Sequence, residues 1–178
     1  VRHRSRRGGT DMKKKTVLVP VDLSGATMQV CNAARALALA LDARVLLLHA
    51  VETDPRVGSY YALSAFEVET LAGNTRRRVA ERLQSLGRWF KRRVPDTKIV
   101  LHTGTAVTTI QRMARLARPD YIVVGSHGHS AAYEMLVGSV AHALLRKAPC
   151  PVLVVPISAR QARAAKPMRP RLSLAALN

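Results

Sequence analysis

Aromatic residues are scarce in this chain: one Trp, four Tyr and two Phe among 178 residues. Its core must therefore rest on Val, Leu, Ile and Ala. An interface that interleaves stacked aromatics with basic residues, as nucleic-acid binders use, finds no material here. Acidic residues are also few, 11 Asp and Glu against 29 Lys and Arg, for a net charge of +18. No apolar run approaches the roughly 18 residues that a membrane-spanning helix needs. The first residues carry Arg and His without an apolar stretch, so no signal peptide is expected. Cysteine is limited to Cys31 and Cys150, far apart in sequence. Two free thiols in a reducing, cytoplasmic setting are the expectation.

At this length one domain with a sizeable core is expected. The positive charge looks like a nucleic-acid signal until it is divided by region. Residues 1–15 hold seven Lys and Arg against one Asp, and residues 157–178 hold five with no acid. Within the remainder, Arg76 to Arg93 holds eight basic residues and one Glu. The rest is neutral, so basicity lies in two tails and one helix. The expected organisation is a basic, disordered tail over 1–13, a domain over 14–156, and a second basic tail over 157–178.

Between the tails, short apolar runs alternate with helical patterns. Thr16 to Val21 reads as a buried strand that stops at Asp22. Ser24 can then cap a helix carrying Val30, Ala34, Leu37, Ala38 and Leu41 on one face. Ala43 to Ala50 is a second strand, followed by a mixed loop over 52–66. A helix from about Phe66 to Arg93 carries Val79, Leu83, Leu86 and Phe90 as an apolar stripe. Gly73 and Gly87 weaken it, and Pro95 ends it. Lys98 to His102 is a third strand, and Gly104 turns the chain into a helix over 107–117. A fourth strand spans 121–124, a helix begins near Val140, and Val152 to Val155 is the fifth strand. This βα alternation with nearly all-apolar strands specifies an α/β fold, an open parallel sheet with helices on both faces. In such sheets ligands lie beyond the carboxyl ends of the strands, where the winding reverses.

Residues 125–139, GSHGHSAAYEMLVGS, join the fourth strand to the next helix. Glycine lets a backbone turn and approach a ligand closely, and a helix N-terminus offers free N–H groups to an anion. The segment is therefore a candidate phosphate-binding loop. No GK[ST] lysine follows its glycines, and no SGGxDS loop or paired nucleophile and base is visible. Fast phosphoryl chemistry is hard to build without them.

The chain from about Lys14 to Pro156 resembles the universal stress protein family. The resemblance rests on Val19 to Ser24, Leu48-His49-Ala50, Pro119 to Gly128, Gly138-Ser139-Val140, and Ala148 to Val155, taken in this order and spacing. Gly125, Gly128, Gly138 and Ser139 match G-x2-G-x9-G-[ST], the pattern of the family's nucleotide-binding branch. The resemblance implies a Rossmann-like sheet of order 3-2-1-4-5. It also implies a homodimer formed through the last strands, here 152–155. Carried over by position, Asp22 meets the ribose, with Pro20 and Val21 alongside, and the Ala50 backbone meets the adenine edge. Val124 and Gly125 line the ribose and α-phosphate, while Gly128, Gly138, Ser139 and Val140 donate to the phosphates. The implied ligand is ATP, ADP or AMP, with Mg2+ or Mn2+ carried by the phosphates. Ala50 stands where Val is common and His129 where Arg or Lys is frequent. Glu134 adds a negative charge, so phosphate affinity is expected to be reduced.

Plainer readings stand beside these. Asp22 and Ser139 both suit helix capping. His127 and His129 invite a metal or nucleotidyl-transfer reading, but no further ligand is fixed by spacing. His127 beside the phosphates is the more economical role. His49 suits a strand end that bonds locally, and Cys150 a packed position. The basic helix is a solvated face or a docking surface. Three functions follow: a nucleotide-dependent switch acting through partners, an ATPase or phosphotransferase, or a basic scaffold whose tails bind nucleic acid.

Overall fold

Five strands alternate their side chains between two covered faces. They are β1 (Thr16–Pro20), β2 (Arg44–Val51), β3 (Thr97–Thr103), β4 (Tyr121–Gly125) and β5 (Val152–Val155). The computed structural model describes residues 14–52, 64–127 and 137–157. The sheet is wholly parallel in the order β3-β2-β1-β4-β5, as the resemblance implied. Among the described residues the strands are joined by α1 (Thr27–Ala40), α2 (Ala65–Lys91), α3 (Ala106–Ala117) and α4 (Ser139–Lys147).

Val17, Val19, Val45, Leu47 and Val123 pack on one face with α1 and α2, through Val30, Ala34, Leu83 and Phe90. Leu18, Leu46, Leu48, Ile122 and Val124 pack on the other with α3 and α4, through Ile110, Ala114, Ala141 and Leu144. Successive residues of β1 therefore serve opposite cores, which is why the strand is apolar at every position. The winding reverses between β1 and β4, the central pair. At the amino ends of these two strands Asp120 is a clasp: its carboxylate accepts the Thr16 N–H at 2.7 Å, and its own N–H donates to the Thr16 carbonyl at 2.8 Å.

The expected stripe of α2 forms, with Leu83 and Phe90 fully buried and Val79 and Leu86 partly so. The helix ends at Lys91, two residues before the expected limit. Four other expectations need adjustment. Ser24 does not cap α1, which begins three residues later at Thr27 behind Ala26. Instead Leu23 adopts a left-handed backbone, φ 58°, and Ser24 Oγ accepts the Ala26 N–H inside the turn. Ser139 is the first residue of α4, as expected, but it does not cap it: Gly138 holds the cap position and no side chain bonds there. Ile157, assigned to the tail, is 8 % exposed and belongs to the core beside α1. Gly87 does more than weaken its helix: a Cβ there would run into Ile99 of β3, so the glycine sets how closely α2 approaches the sheet. Both tails, 1–13 and 158–178, and most of the loop, 53–63, lie outside the described residues.

The two glycines of α2 should respond oppositely to alanine. At Gly73 nothing lies within 4 Å of the added Cβ, and Gly73→Ala is expected to stabilise by ~0.5–1 kcal/mol through helix propensity. Gly87→Ala gains the same propensity but forces Ile99 aside; overpacking of ~1–3 kcal/mol makes the net change destabilising. Urea unfolding of both variants measures the difference.

The two thiols should also differ. Burial pushes the Cys31 thiol up to about 12, so almost no thiolate forms at neutral pH. Cys150 is raised by burial first and by the nearby Asp120 charge second. A thiol-specific reagent at neutral pH should label Cys150 slowly and Cys31 only after unfolding, as peptide mapping of the labelled sites would show.

Candidate functional site

The carboxyl end of β1 is held from two sides. The Val21 N–H donates to the Leu48 carbonyl at 2.9 Å, and the Val21 carbonyl lies 2.6 Å from His49 Nδ1. His49 thus bonds locally at a strand end, fixing the backbone just before Asp22. Pro20 and Val21 are buried, and Asp22 and Ala50 are half-buried. The Asp22 Oδ1 accepts the Ser24 N–H at 3.0 Å and the Thr27 hydroxyl at 3.2 Å. The carboxylate therefore shapes the turn into α1, the structural role that capping chemistry suggested. Arg82 of α2 closes the turn from outside, its Nη2 donating to the Leu23 carbonyl at 2.8 Å.

On the other side of the switch point, β4 delivers Val124, buried, and Gly125, half-buried. A Cβ on Gly125 would come within 3.2 Å of both the His127 carbonyl and Val30 Cγ2, and within 3.4 Å of Ile157. On Gly138 it would come within 3.2 Å of the Ser126 carbonyl. Glycine at both places lets the two ends of the loop meet. The meeting is a hydrogen bond, from the Gly138 N–H to the Ser126 carbonyl at 2.7 Å.

Ser126 was not singled out by the sequence, yet three bonds converge on it besides that one. Its N–H donates to the Val155 carbonyl at 2.8 Å, its Oγ accepts the Ile157 N–H at 2.9 Å, and Oγ lies 3.1 Å from His127 Nδ1. A buried serine directly after a glycine-terminated strand was the available signal.

Beyond Gly138 the helix α4 starts with Ser139, exposed, and Val140, half-buried. No side chain caps this end among the described residues. The Gly138 N–H is already used within the loop and the first helical bond runs from His142 to Gly138, so the N–H groups of Ser139, Val140 and Ala141 are the ones left for an anion. Gly128, His129 and Glu134 lie outside the described residues. The structure thus brings Pro20, Val21, Asp22 and Ala50 to the carboxyl ends of β1 and β2. It brings Val124, Gly125 and His127 to the carboxyl end of β4, and Gly138, Ser139 and Val140 to the amino end of α4. Among the described residues no cluster of three or more His, Cys, Asp or Glu is placed to hold a metal ion. No helix there is long and apolar enough to cross a membrane.

Comparison with known proteins matches residues 14–156 to the family model described as universal stress protein family. A universal stress protein of Methanocaldococcus jannaschii is 28 % identical over 157 residues, covering 84 % of this chain and 85 % of the relative. Another, from Thermus aquaticus, is 31 % identical over 141 residues, covering 79 % and 98 %. Among solved structures, a universal stress protein in complex with cAMP superposes with a TM-score of 0.59 at 20 % identity, over 82 % of this chain and 98 % of its own. One from Archaeoglobus fulgidus in complex with dAMP gives 0.55 at 19 %, over 81 % and 99 %. With its parallel sheet, its glycine-bounded loop and these matches together, the chain belongs to the universal stress protein family.

Proposed function

We propose that this protein is an adenine-nucleotide-binding universal stress protein that works as a switch through partner binding. The observation that carries the reading is the loop joint. Gly125 and Gly138 occupy positions that a Cβ would crowd, and they close a loop onto the uncapped start of α4. Such a cradle suits phosphate, which accepts N–H bonds and gains from the positive helix end. In this reading Ser139 and Val140 donate to phosphate oxygens, and Gly128 does so from the intervening motif. Asp22, with Pro20 and Val21, borders the ribose, and the Ala50 backbone borders the base. The cAMP and dAMP complexes of related folds support an adenine ligand. ATP is the favoured form, and any Mg2+ or Mn2+ would be carried on its phosphates.

Hydrolysis is at most slow. Asp22 is tied to Ser24 and Thr27 and serves the turn rather than a proton transfer. No GK[ST] lysine follows the glycines. A fast ATPase needs groups of both kinds. Two free thiols, one of them fully buried, favour a reducing compartment such as the cytoplasm.

Calorimetric titration with ATP should show saturable binding in the micromolar to sub-millimolar range. Asp22→Ala and Gly128→Val should each weaken it by ~tenfold or more, the scale of a lost hydrogen bond to a charged or polar ligand group. Thermal melting of each variant separates loss of affinity from loss of fold. Bound nucleotide recovered largely as ATP after many dissociation lifetimes marks a switch; stoichiometric conversion to ADP within one lifetime marks an enzyme. No binding at millimolar ATP overturns the proposal.

The same reading pairs two copies through β5. That strand is an edge of the sheet, and its Leu153 is 43 % exposed, an edge that invites pairing. Leu153→Asp should shift the sedimentation coefficient from dimer to monomer; a wild-type chain that sediments as a monomer at all concentrations removes this part.

A further inference from the structure

A groove of about 420 Å³ runs between α1 and α2, on the face of the sheet that carries neither α3 nor α4. It is lined by Met28, Glu81, Arg82, Ser85, Leu86 and Trp89. Its floor is apolar, with Met28 41 % exposed and Leu86 and Trp89 half-buried. Arg82 lines it, and further guanidiniums flank it through contacts with lining residues. Arg82 donates to the Leu23 carbonyl, Arg88 Nη2 donates to Ser85 Oγ at 2.7 Å, and Arg35 lies 4.1 Å from the centre of the Trp89 ring. Arg78 stands one helical turn before Arg82 on the same flank.

Each of the three contacting guanidiniums thus has a neutral partner, and none makes an ion pair among the described residues. The lining itself pairs one guanidinium, Arg82, with one carboxylate, Glu81. Arg35 flanks it from α1, and Arg78 and Arg88 flank it from α2, in a stretch from Arg76 to Arg93 that holds eight basic residues and one Glu. A surface of this kind leaves cationic groups held in place but uncompensated, around an apolar centre.

We infer that this groove docks an acidic polypeptide segment of a partner protein, one that presents apolar side chains to Met28, Leu86 and Trp89 and carboxylates to Arg78, Arg82 and Arg88. Charge complementarity selects this occupant. The chain's own ends carry surpluses of like sign, seven basic residues to one acid over 1–15 and five to none over 157–178, and are repelled. A second copy docking by the same face would set one basic α2 against another. A single-stranded nucleic acid would stack its bases on an aromatic face, but Trp89 is the sole Trp, with Arg35 over its ring and the Phe90 ring against it edge-on at 5.0 Å. Half-buried apolar side chains reward an apolar anchor instead, and the arginines fix its orientation and speed its encounter.

Because Trp89 is the only tryptophan, its fluorescence reports the groove directly. The full chain is titrated with a synthetic amphipathic peptide that lacks Trp and Tyr, with Leu and Phe on one helical face and Glu on the other. A saturable change in Trp89 emission is expected, weakening as salt rises. Arg78→Glu with Arg88→Glu should reduce affinity by ~tenfold or more, as removal of steering and pairing charges does. Met28→Glu, at an exposed position, should reduce it comparably while circular dichroism stays unchanged. Three results would each overturn the inference. They are an emission unaffected by the peptide, equal binding by a Glu-only peptide or a single-stranded oligonucleotide, and self-association of the chain that buries Trp89. ATP binding is measured in parallel on the same variants, so a failed groove and a failed nucleotide site are told apart.

Discussion

Helices α1 and α2 cover one face of the sheet, and α3 and α4 cover the other. The chains that leave β1 and β4 side by side must therefore part. A parallel sheet with both faces buried has no other place where backbone can open without exposing the core. The opposite ends of the same two strands are clasped by Asp120 on Thr16. One central pair of strands is thus shut at one end and parted at the other, and the candidate nucleotide residues gather at the parted end. The candidate site rests on apolar packing, since Val21 and Val124 belong to the two cores as well as to the strand ends that border it.

Much of this was legible in the sequence because local chemistry decided it. Apolar runs such as Thr16 to Val21 have no alternative to a doubly buried strand, and the Val79, Leu83, Leu86, Phe90 spacing has none to a helix packed on one side. The strand order came from resemblance, since handedness and apolar pattern leave a few orders open. What escaped was set by contacts between distant segments. Ser24 looks like a cap, but Asp22 and Arg82, the latter 59 residues away, draw Leu23 into a left-handed turn and delay the helix to Thr27. Gly87 looks like a weak spot until Ile99 arrives beside it from another strand. Ser126 carries no motif, and its value appears only when Gly138, Val155 and Ile157 converge on it.

The site residues divide the same way. Identity of side chain nominated Asp22 and Ser139, but geometry shows Asp22 holding a turn and Gly138 bonding its own loop. Positions matched by motif are therefore shared between building the crevice and facing it. The residues of α2 divide too: Leu83 and Phe90 secure the sheet, Arg82 braces the turn that carries Asp22, and Ser85, Leu86 and Trp89 line the groove beside α1. A single helix thereby touches the core, the edge of the crevice and the solvent-facing groove.

The tie between Ile157 and Ser126 has a mechanical meaning. Ile157 is buried beside Gly125, and its N–H is tied to Ser126 Oγ at the root of the glycine loop. The polypeptide that continues past this point is consequently anchored at the loop rather than at a remote corner of the fold. A pull on that continuation, from a binding partner or a protease, loads Ser126 first and the crevice wall with it, whereas a pull on the amino-terminal side loads the clasped end of β1. The two ends of one chain are unequal handles on the same sheet.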